Sequence, residues 1–193
     1  MTICLILAPF GAFALLMLVT SASVSLFASA AICFAVIGFD VIRGRSIKML
    51  GAGCVVLFAG LGVYVTLIDP DMSMATVKLT TDIGMFLISL TSLIIGKPFV
   101  LQYALEAVDA ETAKLDGFRK ATYTITWAWT GAFLLMIAGN ILTIYIPGLP
   151  VWSGLLIAFA ARNSAAYFTR WYPQYRKAKY GPAATRNGAL AGS

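Results

Sequence analysis

The stretch ICLILAPFGAFALLMLVTSASVSLFASAAICFAVIGFDVIRGR, residues 3–45, carries no charged side chain before Asp40. As one helix at about 1.5 Å per residue, its apolar part would be about 60 Å long, roughly twice the hydrocarbon thickness of a bilayer. The chain must therefore turn back within it. The small polar cluster Thr20-Ser21-Ala22-Ser23 is the only break suited to the turn. Two membrane crossings are expected before Arg43.

The same reasoning extends along the chain. A crossing needs about 20 mostly apolar residues, and stretches of that kind fall at 3–20, 23–42, 50–68, 82–97, 122–146 and 150–169. Pro147-Gly148-Leu149-Pro150 separates the last two, because proline cannot continue a helix. Asp69-Pro70-Asp71 opens a polar loop expected over 69–81. The composition agrees: 60% of residues are hydrophobic, 11% are charged and the mean hydropathy is +0.88. No soluble domain of this length hides so much apolar surface. The expected fold is an all-α integral membrane helical bundle of about six transmembrane helices, a single polytopic domain over 1–180 with a flexible tail over 181–193. The first span has no basic segment ahead of it, unlike a cleaved leader, and reads as a retained span.

Charge sets the orientation. Arg43, Arg45 and Lys48 fall between spans two and three; Lys97, Lys114, Arg119 and Lys120 between four and five; Arg170, Arg176, Lys177, Lys179 and Arg186 after six. By the positive-inside rule these loops and both termini are cytoplasmic, which leaves Lys78 on the opposite side with Asp69 and Asp71. The formal net charge of +6 is thereby explained by topology and lipid headgroups, and nucleic acid is not expected as a partner. Tyr123, Trp127, Trp129, Trp171, Tyr172 and Tyr175 suit the inner interface, Tyr145 and Trp152 the outer one.

The chain holds no histidine, which removes the commonest metal ligand and proton shuttle. Cys4, Cys33 and Cys54 fall on three different spans without CxxC spacing, so each reads as a small buried hydrophobe. No Gly-rich phosphate loop and no activated nucleophile is present. An enzyme is not expected, nor a cofactor or metal.

Few polar groups remain inside the spans. Arg162 and Asn163 lie well within the sixth, and a guanidinium there must snorkel or find a partner. Arg162 reads either as snorkelling to the inner headgroups beside Arg170 or as paired with Asp40, which could equally pair with Arg43 on its own helix. Asp82 reads as the N-terminal carboxylate of the fourth span. Asn140 lies toward the outer end of the fifth, and Arg162, Asp40, Asn163 and Asn140 form the candidate polar pair or path. Small residues recur at Ser21, Ser25, Ala28, Ala31, Ala35 and Gly38, and at Gly154, Ala158, Ala161 and Ala165, as closely packed membrane helices require. Packing within one chain and a lateral interface with another subunit both remain open. Leu101, Ala104, Leu105, Val108, Thr112 and Leu115 share one helical face, predicting an amphipathic helix along the cytoplasmic interface between spans four and five.

Over roughly its second half the sequence resembles the bacterial intracellular septation protein A family of small inner-membrane proteins. The likeness rests on Gly96-Lys97-Pro98-Phe99, on the segment beginning Leu101-Gln102-Tyr103, on Gly139-Asn140-Ile141 with Ile144-Tyr145-Ile146-Pro147, and on Trp152. The first half matches in hydropathy alone. The resemblance implies a multi-pass protein of the bacterial inner membrane, acting in envelope maintenance or division as a scaffold for other integral membrane proteins. The residues leave two alternatives beside it: a small-solute or ion transporter, and an accessory subunit of a larger membrane complex.

Overall fold

The computed structural model describes residues 11–180 apart from positions 14, 18, 147 and 150. The described residues between 11 and 19 are helical, and the chain bends at Thr20, where the polar cluster stands. Seven helices follow: α1 (Ala22–Ile42), α2 (Met49–Leu67), α3 (Met74–Ile94), α4 (Phe99–Ala104), α5 (Ala110–Lys114), α6 (Asp116–Tyr145) and α7 (Val151–Tyr180). There is no strand among the described residues. The helices pack in order, α1 on α2, α2 on α3, α3 on α6 and α6 on α7.

Side chains start two of these helices. Ser21 caps α1 by accepting from the Val24 amide at 3.4 Å, and Ser73 caps α3 by accepting from Thr76 at 3.2 Å. Two helices end alike. At the close of α1, Gly44 has φ of +69° and its amide donates to Val41 O, while Arg45 donates to Asp40 O. At the close of α3, Gly96 has φ of +74°, its amide donates to Leu93 O, and Lys97 donates to Ser92 O. Each is a Schellman ending, which needs a left-handed residue that glycine supplies without a Cβ clash. Gly96-Lys97-Pro98-Phe99 is thus a helix-to-helix turn, with Pro98 as the N-cap of α4 and Phe99 buried.

Four helices, α1, α2, α3 and α6, are long and apolar enough to cross a membrane. The first expected span, 3–20, lies mostly outside the described residues, as does the tail over 181–193. The sixth forms as α7 but is not apolar enough over its length to join the four, since Arg162, Asn163 and Tyr167 dilute it. The polar loop expected over 69–81 is shorter: helix resumes at Met74, because Ser73 caps it two turns ahead of Asp82. Nor is 101–115 one amphipathic helix. It is α4 and α5, parted by turns, with Asp109 extended at the N-cap of α5 and Leu105 and Leu115 exposed by 44% and 59%.

The small-residue stripes divide. Gly154, Ala161 and Ala165 are buried, and a Cβ on Gly154 would meet Thr143 Oγ1 at 2.6 Å and Gly139 O at 3.4 Å, so the α7 backbone lies directly against α6 there. On α1 the buried face is Ala22, Ser25, Leu26, Ser29, Ala30 and Cys33, whereas Ala31 and Ala35 are exposed. Bulk at Leu26 sets that register, because it is fully buried and the small residues beside it let α2 approach.

Candidate functional site

Two polar centres lie at opposite ends of the bundle. At the end carrying Arg43, the Schellman turn folds Lys48 back over Asp40. Lys48 Nζ donates to Asp40 Oδ2 at 2.6 Å and stands 3.1 Å from Glu106 Oε2. Arg45 closes the ring, 3.4 Å from Asp40 and 3.9 Å from Glu106. The Lys48 side chain is 4% exposed, Asp40 10% and Glu106 21%. Two cations balance two carboxylates, the condition under which buried charge is tolerated.

Helix α4 supplies the lid of this ring. The Lys48 ammonium sits 5.1 Å from the Tyr103 ring centroid. Gln102 Oε1 accepts from the Met49 amide at 2.7 Å, satisfying a donor at the start of α2. Burial, then the neighbouring Cys54 thiol and Asp40 carboxylate, push the Tyr103 phenol well above its ordinary range. On the other flank Tyr123 donates to Gly96 O at 2.8 Å, and the Phe99 amide donates to Ser92 Oγ at 3.2 Å. Charge and hydrogen bonds thus fasten 96–106 across the ends of α1, α2, α3 and α6.

The second centre lies toward the other end, between α3 and α6. Asn140 Nδ2 donates to Asp82 Oδ2 at 2.6 Å, and the two residues are 6% and 9% exposed. Asp82 is thus no helix-terminal carboxylate: it sits about 12 Å along α3, because the helix begins at Met74. Lys78, one turn earlier on the same helix, and Arg162 from α7 are the cations whose charge reaches it. Nearer the middle of the bundle, the Ser89 and Thr130 hydroxyls share a hydrogen bond at 2.6 Å between α3 and α6.

The four residues singled out from the sequence therefore separate. Asp40 pairs with Lys48 and Arg45 rather than with Arg162 or Arg43. The turn places the first two across from it, and Arg43 stacks on Phe39, 4.1 Å from the ring centroid. Arg162 acts on Asp82 instead of reaching for Asp40. Asn140 belongs with Asp82, and Asn163 is exposed, donating to its own helix at Phe159 O at 2.7 Å. Lys48 and Glu106 escaped the sequence reading. The spacing of Asp40, Gly44 and Lys48 could have found the first, since a glycine-ended helix followed by a tight turn brings its flanks together; nothing local points to Glu106.

The two free thiols among the described residues, Cys33 and Cys54, are buried as expected, but not apart: they lie near enough across α1 and α2 to influence each other. No family model, curated protein or solved structure matches this chain. The class that the fold defines is a helical bundle compatible with a multi-pass membrane protein.

Proposed function

We propose that the chain is a non-catalytic, six-span protein of the bacterial inner membrane, with both termini cytoplasmic, that works by contact with other membrane or envelope proteins. The observation that carries this reading is how the buried polar groups are used. Asp82 with Asn140 and Ser89 with Thr130 bond between helices, and Asp40 with Lys48 spans the turn between α1 and α2, so the polar chemistry of the interior joins helices to one another. Helix α7 meanwhile presents Trp152, Phe159, Tyr167 and Trp171 outward, together with Asn163. Amide groups on a lipid-facing helix favour association with another helix, which a scaffold needs. The likeness of the second half to septation protein A proteins supports the same role in envelope maintenance or division. The basic loops at the Arg43 end agree with its cytoplasmic placement.

Lys78, Asp82, Asn140 and Arg162 favour a second reading, a small-solute or ion transporter, because ionisable groups inside a span commonly mark such paths. Photo-crosslinkers placed at Tyr167 and, as a control, at Val56 in intact cells separate the two. Defined protein adducts at Tyr167 and none at Val56 support the scaffold; solute uptake by reconstituted vesicles, without adducts, supports transport. Single-cysteine labelling tests the topology: positions Ser46 and Glu111 react from the cytoplasmic side and Met74 from the other. Labelling of Met74 and Glu111 from one side would refute six spans.

A further inference from the structure

Three sulfur side chains from three helices meet inside the bundle. Cys33 of α1, Cys54 of α2 and Met85 of α3 are 3%, 2% and 1% exposed. Cys54 Sγ lies 3.8 Å from Met85 Sδ, and the Cys33 thiol is near enough to the same sulfur for the two to influence each other. Cys54 is therefore the middle of a row of two thiols and a thioether. Core packing does not require this, since alanine, valine or leucine would fill such positions without placing three soft donors together.

We propose that Cys33, Cys54 and Met85 form a site for a soft monovalent metal ion, Cu(I) by chemical class. Thiol and thioether sulfur select Cu(I) over magnesium, calcium or manganese, which take oxygen. Zinc is a poor fit, because its closed sites use four thiolate, imidazole or carboxylate ligands and this chain has no histidine at all. Charge points the same way. A monovalent ion that replaces one thiol proton leaves the site neutral, whereas a divalent ion would leave net charge in an apolar interior. The step is an exchange without electron transfer: a Cu–S bond forms at Cys54, its S–H bond breaks, and the proton departs to solvent. Cys33 and Met85 complete the coordination by donating lone pairs.

The surroundings suit such an ion. Leu26, Phe58 and Val77 are fully buried in the same core, which keeps water from the sulfurs. Tyr103 lies in electrostatic reach of both thiols and under the Lys48 ammonium. The site is independent of the scaffold reading and is tested separately from it.

The test uses the full chain purified in mild detergent with reductant and titrated with Cu(I) in competition with bicinchoninate. The wild type should hold about one Cu(I) per chain, with a sulfur-only coordination shell by X-ray absorption. Cys54→Ser should weaken binding by about a hundredfold or more and Met85→Leu by about tenfold. Ag(I), a redox-inert probe of the same softness, should follow the same order. Should Cys54→Ser fail to fold, the absorption spectrum of the wild type decides alone. Loss of all Cu(I) from the wild type to the chelator overturns the proposal. So does equal retention by the Cys33→Ser, Cys54→Ser double variant, or a shell of oxygen and nitrogen.

Discussion

The ring at Asp40 and the centre at Asp82 each hold a carboxylate away from water, yet by different means. At Asp40 the compensation is ionic and near the water boundary: Lys48 and Arg45 both lie within ion-pair distance, and Glu106 shares them. At Asp82 the close partner is a neutral amide, and the cations Lys78 and Arg162 act from farther away. A charge near the boundary can be matched by residues of one turn. A charge deeper in a span must draw on other helices, because no water and no flexible loop is within reach. The first centre holds a turn and a lid in place; the second holds α3 to α6.

Removing the central cation should have the largest effect. Lys48→Met leaves the buried Asp40 and the half-buried Glu106 side chain sharing only Arg45, and stability in detergent should fall by about 3 kcal/mol. Adding Asp40→Asn should recover part of that loss in thermal denaturation. Simple additivity would mean the ring is not a coupled unit.

The amide of the second centre should matter less. Asn140→Leu strips Asp82 of its hydrogen bond while leaving both distant cations, and should cost about 2 kcal/mol. Introducing Asp82→Asn in that background should not deepen the loss. A further large drop would show that Asp82 relies on Lys78 and Arg162 more than on Asn140.

Arg162 sharpens the comparison because it could have served either centre. Arg162→Met should couple to Asp82→Asn by about 0.5–1 kcal/mol and add independently to Asp40→Asn. Coupling to Asp40 would reinstate the pair expected from depth alone.

The smallest effect concerns the lid. Tyr103 should remain protonated above about pH 10, where exposed tyrosines ionise, and the difference in phenolate absorbance between wild type and Tyr103→Phe measures it. Its raised phenol favours the folded state fully below the unfolded pKa, and that advantage fades as pH climbs toward the folded value. Wild type should thus lose stability over that alkaline range more steeply than Tyr103→Phe. Identical profiles would mean that 96–106 is not docked over the ring.

Much of the architecture was legible before any coordinates. Hydropathy and chain length require a break near Thr20, where the chain bends, and Gly44 and Gly96 end their helices as glycine after an apolar run commonly does. The segment 101–115 misled because its apolar face repeats at helical spacing although Asp109 favours a new N-cap over continuation. Asp82 misled for a related reason: the polar residues ahead of it suggest a loop, but Ser73 starts the helix earlier.

By itself, then, the sequence determined an all-helical chain with apolar helices of membrane length and basic loops at one end, because those properties depend on composition and on spacing along a single helix. Only the tertiary structure decided which polar groups meet. Asp82 finds Asn140 across 58 residues, Cys54 finds Met85 across 31, and Glu106 reaches Lys48 from the turn that follows α4. Such pairings depend on the rotation of each helix about its axis and on its axial shift against its neighbours. Those are set by how bulky residues such as Leu26 and small ones such as Gly139 and Gly154 fit against neighbouring helices, and no pattern within one helix records them.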